Sequence, residues 1–204
     1  MVVGVSGVAG SGKDLFVETC IQELVKSGKT GARLALATAL KWEVRDWCLQ
    51  HYNIDPTDCS REDKERIRSF LVAHGTTKRG ATEGRHWINQ LRPHIESLKD
   101  NYDYLFVSDV RYADYEKDEA HWIKDELQGV LVHISQYTLQ PTPFETMKIY
   151  RTPANEEEAR NDPKLVERAD YKIKWEFNTN MMNKDQYIAS KVNEFINWLS
   201  SHRE

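Results

Sequence analysis

The sequence predicts an α/β domain spanning residues 1–204, with a five-stranded parallel sheet and helices on both faces. Three observations carry that expectation. The chain opens on an apolar run, Met1 to Val3 with Val5, that passes through a glycine-rich turn into a helical pattern. Two further apolar runs, Tyr104-Leu105-Phe106-Val107-Ser108-Asp109 and Val130-Leu131-Val132-His133-Ile134, read as interior strands. A charged stretch of helical length separates them, which is the spacing of a parallel crossover.

The opening strand leads into Gly7-Val8-Ala9-Gly10-Ser11-Gly12-Lys13. Gly, four residues, Gly, Lys between a strand and a helix is the template of a phosphate-binding loop. Glycines let successive backbone N–H groups turn inward on a phosphate, the helix N-terminus adds partial positive charge, and the lysine reaches the outer phosphates. Gly7, Ala9, Gly10, Ser11, Gly12, Lys13 and Asp14 are therefore candidates to bind a nucleoside triphosphate such as ATP. Asp14 departs from the template, standing where Ser or Thr usually offers a hydroxyl to Mg²⁺.

After the loop, Leu15, Phe16, Thr19, Cys20, Leu24 and Val25 recur at helical spacing, so a helix runs to about Ser27 before Gly28 ends it. Arg33 to Ala37 reads as a second strand, and Leu40, Val44, Trp47 and Cys48 mark one helix after it. Ser60 is a candidate N-cap for a helix that stops near Gly75, with Thr76 to Gly84 a loop. Trp87, Ile88, Leu91, Ile95 and Leu98 mark the next helix, in which Pro93 predicts a kink or a late start. A charged helix over 114–127 follows the strand that ends at Asp109. Residues 136–163 carry three prolines, clustered acids and no clear periodicity, so they read as a mobile, lid-like loop. Tyr171 to Trp175 alternates like an edge strand, and Tyr187, Ile188, Val192, Phe195, Ile196 and Leu199 face a closing helix.

With a formal net charge of -4, nothing points to a nucleic-acid or membrane surface. No apolar run approaches the roughly 18 residues that span a membrane, and no signal sequence is legible. Cys20, Cys48 and Cys59 have neither metal-ligand nor disulfide spacing, which fits a reducing cytoplasm. His74, His86 and His133 show no ligand spacing either. Trp122 and Trp198 suit either the core or the interface of a homodimer.

The chain lacks the Asn-Lys-x-Asp base reader of guanine-nucleotide switches, and Asp109 is followed by Val110 and Arg111 rather than the second acid of motor ATPases. Arginines recur at element ends instead: Arg68, Arg79, Arg85, Arg111, Arg151 and Arg160. Such residues clamp phosphate oxygens bidentately, which suits transfer to a second phosphate.

Gly7 to Asp14, the run Arg68-Ser69-Phe70-Leu71-Val72-Ala73-His74-Gly75-Thr76, Trp87, and Tyr102 to Arg111 together resemble the bacteriophage-type deoxynucleoside monophosphate kinases, and the likeness covers most of residues 1–135. It implies a three-layer P-loop kinase fold, with a helical monophosphate-binding region over 38–100 and a lid over 136–163. It also implies Mg²⁺-dependent transfer from ATP to a deoxynucleoside monophosphate (dNMP), in the host cytoplasm if the source is viral. On that resemblance Lys13, Arg68 and Arg111 are the candidate catalytic residues, and Arg68, Arg85, Asp109 and Arg111 the monophosphate site, with Arg79 competing with Arg85. Asp14 and Asp109 are candidates to hold Mg²⁺ through water; helix-end charge complementarity and a strand-end cap are their simpler roles. Arg151 and Arg160 either close over the triphosphate, Arg151 as an ATP ligand, or pair with Glu156 to Glu158. A kinase for another small acceptor, such as a coenzyme precursor, and a nucleotide-binding switch or assembly ATPase are the rival readings.

Overall fold

A computed structural model describes residues 1–178 and 183–202. Its sheet contains six strands: β1 (Val2–Ser6), β2 (Gly31–Ala35), β3 (Tyr104–Val110), β4 (Val130–Pro141), β5 (Thr146–Tyr150) and β6 (Tyr171–Glu176). Five run parallel in the order β2-β3-β1-β4-β6, and β5 pairs antiparallel with the far half of β4. The expected five parallel strands are thus joined by a sixth, antiparallel strand.

Strand alternation divides the core between the two faces. Val3, Val5, Phe106, Val132 and Ile134 meet Phe16 and Cys20 of α1 (Lys13–Lys26) and Val192 and Phe195 of α8 (Lys184–Ser201). Their neighbours Val2, Leu105, Val107 and Leu131 meet Ile88 and Leu91 of α5 (Arg85–Leu98) on the other face. Trp122 is fully buried there, whereas Trp198 packs partly buried against the first face.

Between β2 and β3 lie α2 (Leu36–Glu43), α3 (Arg45–Tyr52), α4 (Arg61–Gly80) and α5. Ser60 caps α4, its hydroxyl accepting from the Asp63 amide. Several boundaries differ from those the sequence suggests. β2 ends at Ala35 because the Asp109 carboxylate, reaching across from β3, accepts from the amides of Leu36 and Ala37 and starts α2 there. The single helix expected over 40–48 is two, parted at Val44. α4 runs five residues past Gly75, its last turn held by the buried Arg79. Pro93 lies inside α5 without delaying its start.

The charged helix expected over 114–127 begins five residues late. Asp118 instead folds 114–118 into a turn, its carboxylate accepting from the amides of Asp114, Tyr115 and Glu119. Only α6 (Glu119–His121) and a π-helical turn over Trp122–Glu126 follow. Residues 136–163 are not an irregular loop. β4 continues to Pro141, a turn at 142–145 leads into β5, and α7 (Glu156–Arg168) begins at an Asn155 N-cap, with Pro163 inside it.

Candidate active site

The phosphate loop follows β1. Gly10 and Gly12 have φ of 74° and 92°, the left-handed region that an L side chain adopts only at a cost. Packing excludes a side chain at Gly12, where a Cβ would lie 2.5 Å from Cζ2 of Trp175; at Gly10 it would meet only the guanidinium end of Arg151, 3.0 Å from Nη1. Trp175 Nε1 donates to Ser11 O at 2.9 Å, so β6 braces the loop from below. Lys13 is buried, and its ammonium donates to the carbonyls of Gly7 (2.7 Å) and Val8 (2.9 Å). Burial and the Arg111 charge lower its pKa, while Glu158, Asp109 and Asp14 oppose them. The Ser11 hydroxyl is buried without a hydrogen-bond partner among the described residues.

Beside the loop, beyond the carboxyl end of β3, lies a cavity of about 200 Å³. Lys41 from α2, Lys64 and Arg68 from α4, and Arg111 line it together with Trp87, Asp109, Tyr112, Glu119 and the first turn of α7. This is where ligands of open parallel sheets bind. Burial first, and then the charges of Lys41, Arg68 and Arg111, lower the pKa of Lys64, while Asp109, Glu119, Glu157 and Glu158 line the same cavity. Lys41, Lys64 and Arg111 form no salt bridge among the described residues, whereas Arg68 pairs with Glu65 at 2.8 Å. Glu119 is buried, and one carboxylate oxygen accepts from the amides of Arg111 (2.6 Å) and Tyr112 (3.2 Å). Burial and the neighbouring Asp118 raise its pKa to about 8.

Of the predicted residues, the structure brings Arg68, Asp109 and Arg111 to this cavity, adjoining the loop that carries Lys13. Asp109 is half-buried at φ 67° and uses both oxygens to cap α2, at 3.0 and 3.1 Å; burial raises its pKa, while Arg111 and the two amides lower it. Asp14 is exposed, with Oδ1 on Arg33 at 2.5 Å. Arg151 sits over Gly10, its Nε donating to Gln136.

Arg85 is not among the cavity residues. Its guanidinium grips Glu126 bidentately at 2.6 and 2.9 Å. Its competitor Arg79 is buried against Asp118 and lies between the rings of Tyr112 and Tyr115. Arg160 pairs with Asp114 and Glu157, and Lys164 with Asp114, which docks α7 onto the turn after Arg111 and lowers the Asp114 pKa to about 2. Trp87 is core, and His74 and His86 both contact Glu43.

Sequence reading missed Lys41, Lys64, Glu119, Glu158, Trp175 and Arg33. Lys64 lies one helical turn before Arg68, a spacing that places both on one face and was the one available signal. A larger groove of about 790 Å³, lined by Arg33, Trp42, Glu43 and His94, lies along α2 and α5; neither lining includes a loop residue, but Glu158 joins the smaller cavity to the Ala9 amide.

No protein-family model matches the chain, and no curated protein matches it in sequence. Solved structures with a similar course include dephospho-CoA kinase from Campylobacter jejuni (13% identity, 100% of this chain and 98% of that chain covered, TM-score 0.49). Shikimate kinases from Acinetobacter baumannii, in complex with shikimate, and from Bacteroides thetaiotaomicron also match, each at 13% identity. They cover 100% and 98% of this chain and 95% and 98% of theirs, with TM-scores of 0.41 and 0.42. Likeness at this level carries no argument about acceptor or mechanism. The α/β architecture, with its parallel-dominated sheet and helices on both faces, stands on the strand pairing described above.

Proposed function

We propose that the chain is a P-loop kinase that transfers the γ-phosphoryl group of ATP to the phosphate of a deoxynucleoside 5′-monophosphate. The observation that carries this reading is the solvent-open cavity beside the loop, where Lys41, Lys64 and Arg111 stand together without ion-pair partners among the described residues. Such a cluster calls for an anionic acceptor.

The loop suits a triphosphate. Gly12 leaves no room for a Cβ, and Ser11 Oγ is buried without a partner. Amides from Ala9 to Asp14 would donate to phosphate oxygens, and Lys13 would exchange its two loop carbonyls for the outer phosphates. Asp14 fits a magnesium ion held through water, because its exposed Oδ2 makes no hydrogen bond among the described residues. When bound, that ion would neutralise charge on the triphosphate.

An acceptor phosphate is already an anion at neutral pH, so this chain needs no general base. Arg111 and Lys64 hold it, Lys13 stabilises charge on the group in transit, and positioning does the rest. Arg151 and α7 exclude water.

A hydroxyl acceptor, such as a coenzyme precursor, has one observation in its favour: the half-buried Asp109 beside Arg111, whose raised pKa suits a general base. Incubation with MgATP and each dNMP, followed by chromatography, separates the readings. Diphosphate formation is expected; ADP release without transfer would sink the proposal. Arg111→Ala should raise the acceptor KM about 100-fold, the loss of one or two charge-assisted hydrogen bonds, and leave ATP binding intact.

A further inference from the structure

The first turn of α7 touches both halves of the site. Asn155, Glu157 and Glu158 line the cavity with Lys64, Arg68 and Arg111. Glu158 goes further. Its Oε2 accepts from the amide of Ala9, inside the phosphate loop, at 3.2 Å, and from the amide of Ala154 at 2.9 Å. Its charge also acts on Lys13, against the lowering effects of burial and Arg111. A carboxylate oxygen on a loop amide, within electrostatic reach of the loop lysine, reproduces what a phosphate oxygen would do there.

We infer that Glu158 is a positioning residue that occupies a phosphate seat on the loop when no nucleotide is bound, so that a triphosphate must displace it. The inference rests on reading residues 7–13 as the triphosphate site. Two features argue that this contact is more than helix capping. The N-terminus of α7 already has its cap, since Asn155 Oδ1 accepts from the Glu158 amide at 2.9 Å. The partner amide is also remote in sequence, brought to Glu158 by the docking of α7, which Arg160, Asn161 and Lys164 moor to Asp114 and the buried Leu165 anchors in the core.

One consequence is coupling between the half-sites. A triphosphate that expels the Glu158 side chain shifts the negative charge of a residue that also lines the cavity where Lys64 and Arg111 stand. Each anion then strengthens binding of the other by the same factor.

Magnesium tripolyphosphate, which has the phosphates but no base, is the probe, and calorimetry reads its affinity. Truncating Glu158 removes a competitor of the ligand, so Glu158→Ala should lower Kd about tenfold, the population shift expected from losing one hydrogen bond to a charged group. Glu158→Gln, which keeps the length without the charge, should give a smaller gain. In the ligand-free protein the ¹⁵N–¹H resonance of Ala9 should move in Glu158→Ala. A folded Glu158→Ala protein with unchanged or weaker tripolyphosphate affinity would overturn the inference, as would an unmoved Ala9 resonance. Lys13→Ala separates this from the wider reading. Loss of tripolyphosphate binding in Lys13→Ala upholds the loop as the phosphate site whatever Glu158 does, whereas retained binding removes both.

Discussion

Replacing Glu119 by Gln tests the electrostatics of the cavity floor. Glu119 is 3% exposed, takes two backbone amides on one oxygen and sits next to the buried Asp118. Burial, with Asp118 second, lifts its pKa from an ordinary 4.5 to about 8. Below pH 4.5 the group is protonated in both the folded and unfolded chain, so it contributes no pH dependence. Between 4.5 and about 8 the unfolded chain ionises while the folded one keeps its proton, and stability falls by up to about 1.4 kcal/mol per pH unit. Above 8 the loss levels off, at no more than about 5 kcal/mol. Gln carries no such proton. It also preserves the carbonyl oxygen that the Arg111 and Tyr112 amides need. Urea unfolding of both proteins from pH 4 to 9 should therefore show a difference that grows in favour of Glu119→Gln between 4.5 and 8 and is flat outside that window. Asp109, whose pKa burial also raises, is common to both proteins and largely cancels in the difference. A difference independent of pH would refute the reasoning and place an ionised carboxylate on the cavity floor.

Two further substitutions test the scaffold. Gly12→Ala forces a left-handed side chain against Trp175 and should lower stability by about 3 kcal/mol while weakening triphosphate binding; a thermal melt matching the native protein would mean that Trp175 moves aside freely. Arg79→Met leaves the carboxylate of Asp118 buried without its cation and should cost about 3–5 kcal/mol by urea denaturation; a loss below about 1 kcal/mol would show that the three amides on Asp118 suffice alone.

The phosphate loop was legible because its geometry is local. Consecutive residues supply the glycine conformations, the inward amides and the lysine, so spacing alone identifies them. β3 and β4 were legible for a similar reason, as apolar runs with no other place in a folded chain. The regular structure within 136–163 was not legible because Tyr137 to Gln140 and Thr146 to Tyr150 acquire strand character by pairing with each other, and β4 is seeded from the sheet. The arginines were harder still. Arg68, Arg79, Arg85 and Arg160 look alike in sequence, and only the placement of Glu126, Asp118 and Asp114 shows that three of the four pair with acids distant in the chain, whereas Arg68 pairs with Glu65 one turn before it on α4.

The sequence by itself determined the glycine-rich loop between strand and helix, the alternation of strands and helices, and Asp109 and Arg111 at the end of a buried strand, because each follows from residues within a few positions of one another. Tertiary structure decided which cations face the cavity, that Asp109 caps α2, and that Glu158 reaches the loop amide of Ala9. Those outcomes depend on charges meeting across the sheet, from chain segments up to about 150 residues apart, and a charge's partner is set by where the folded chain brings it.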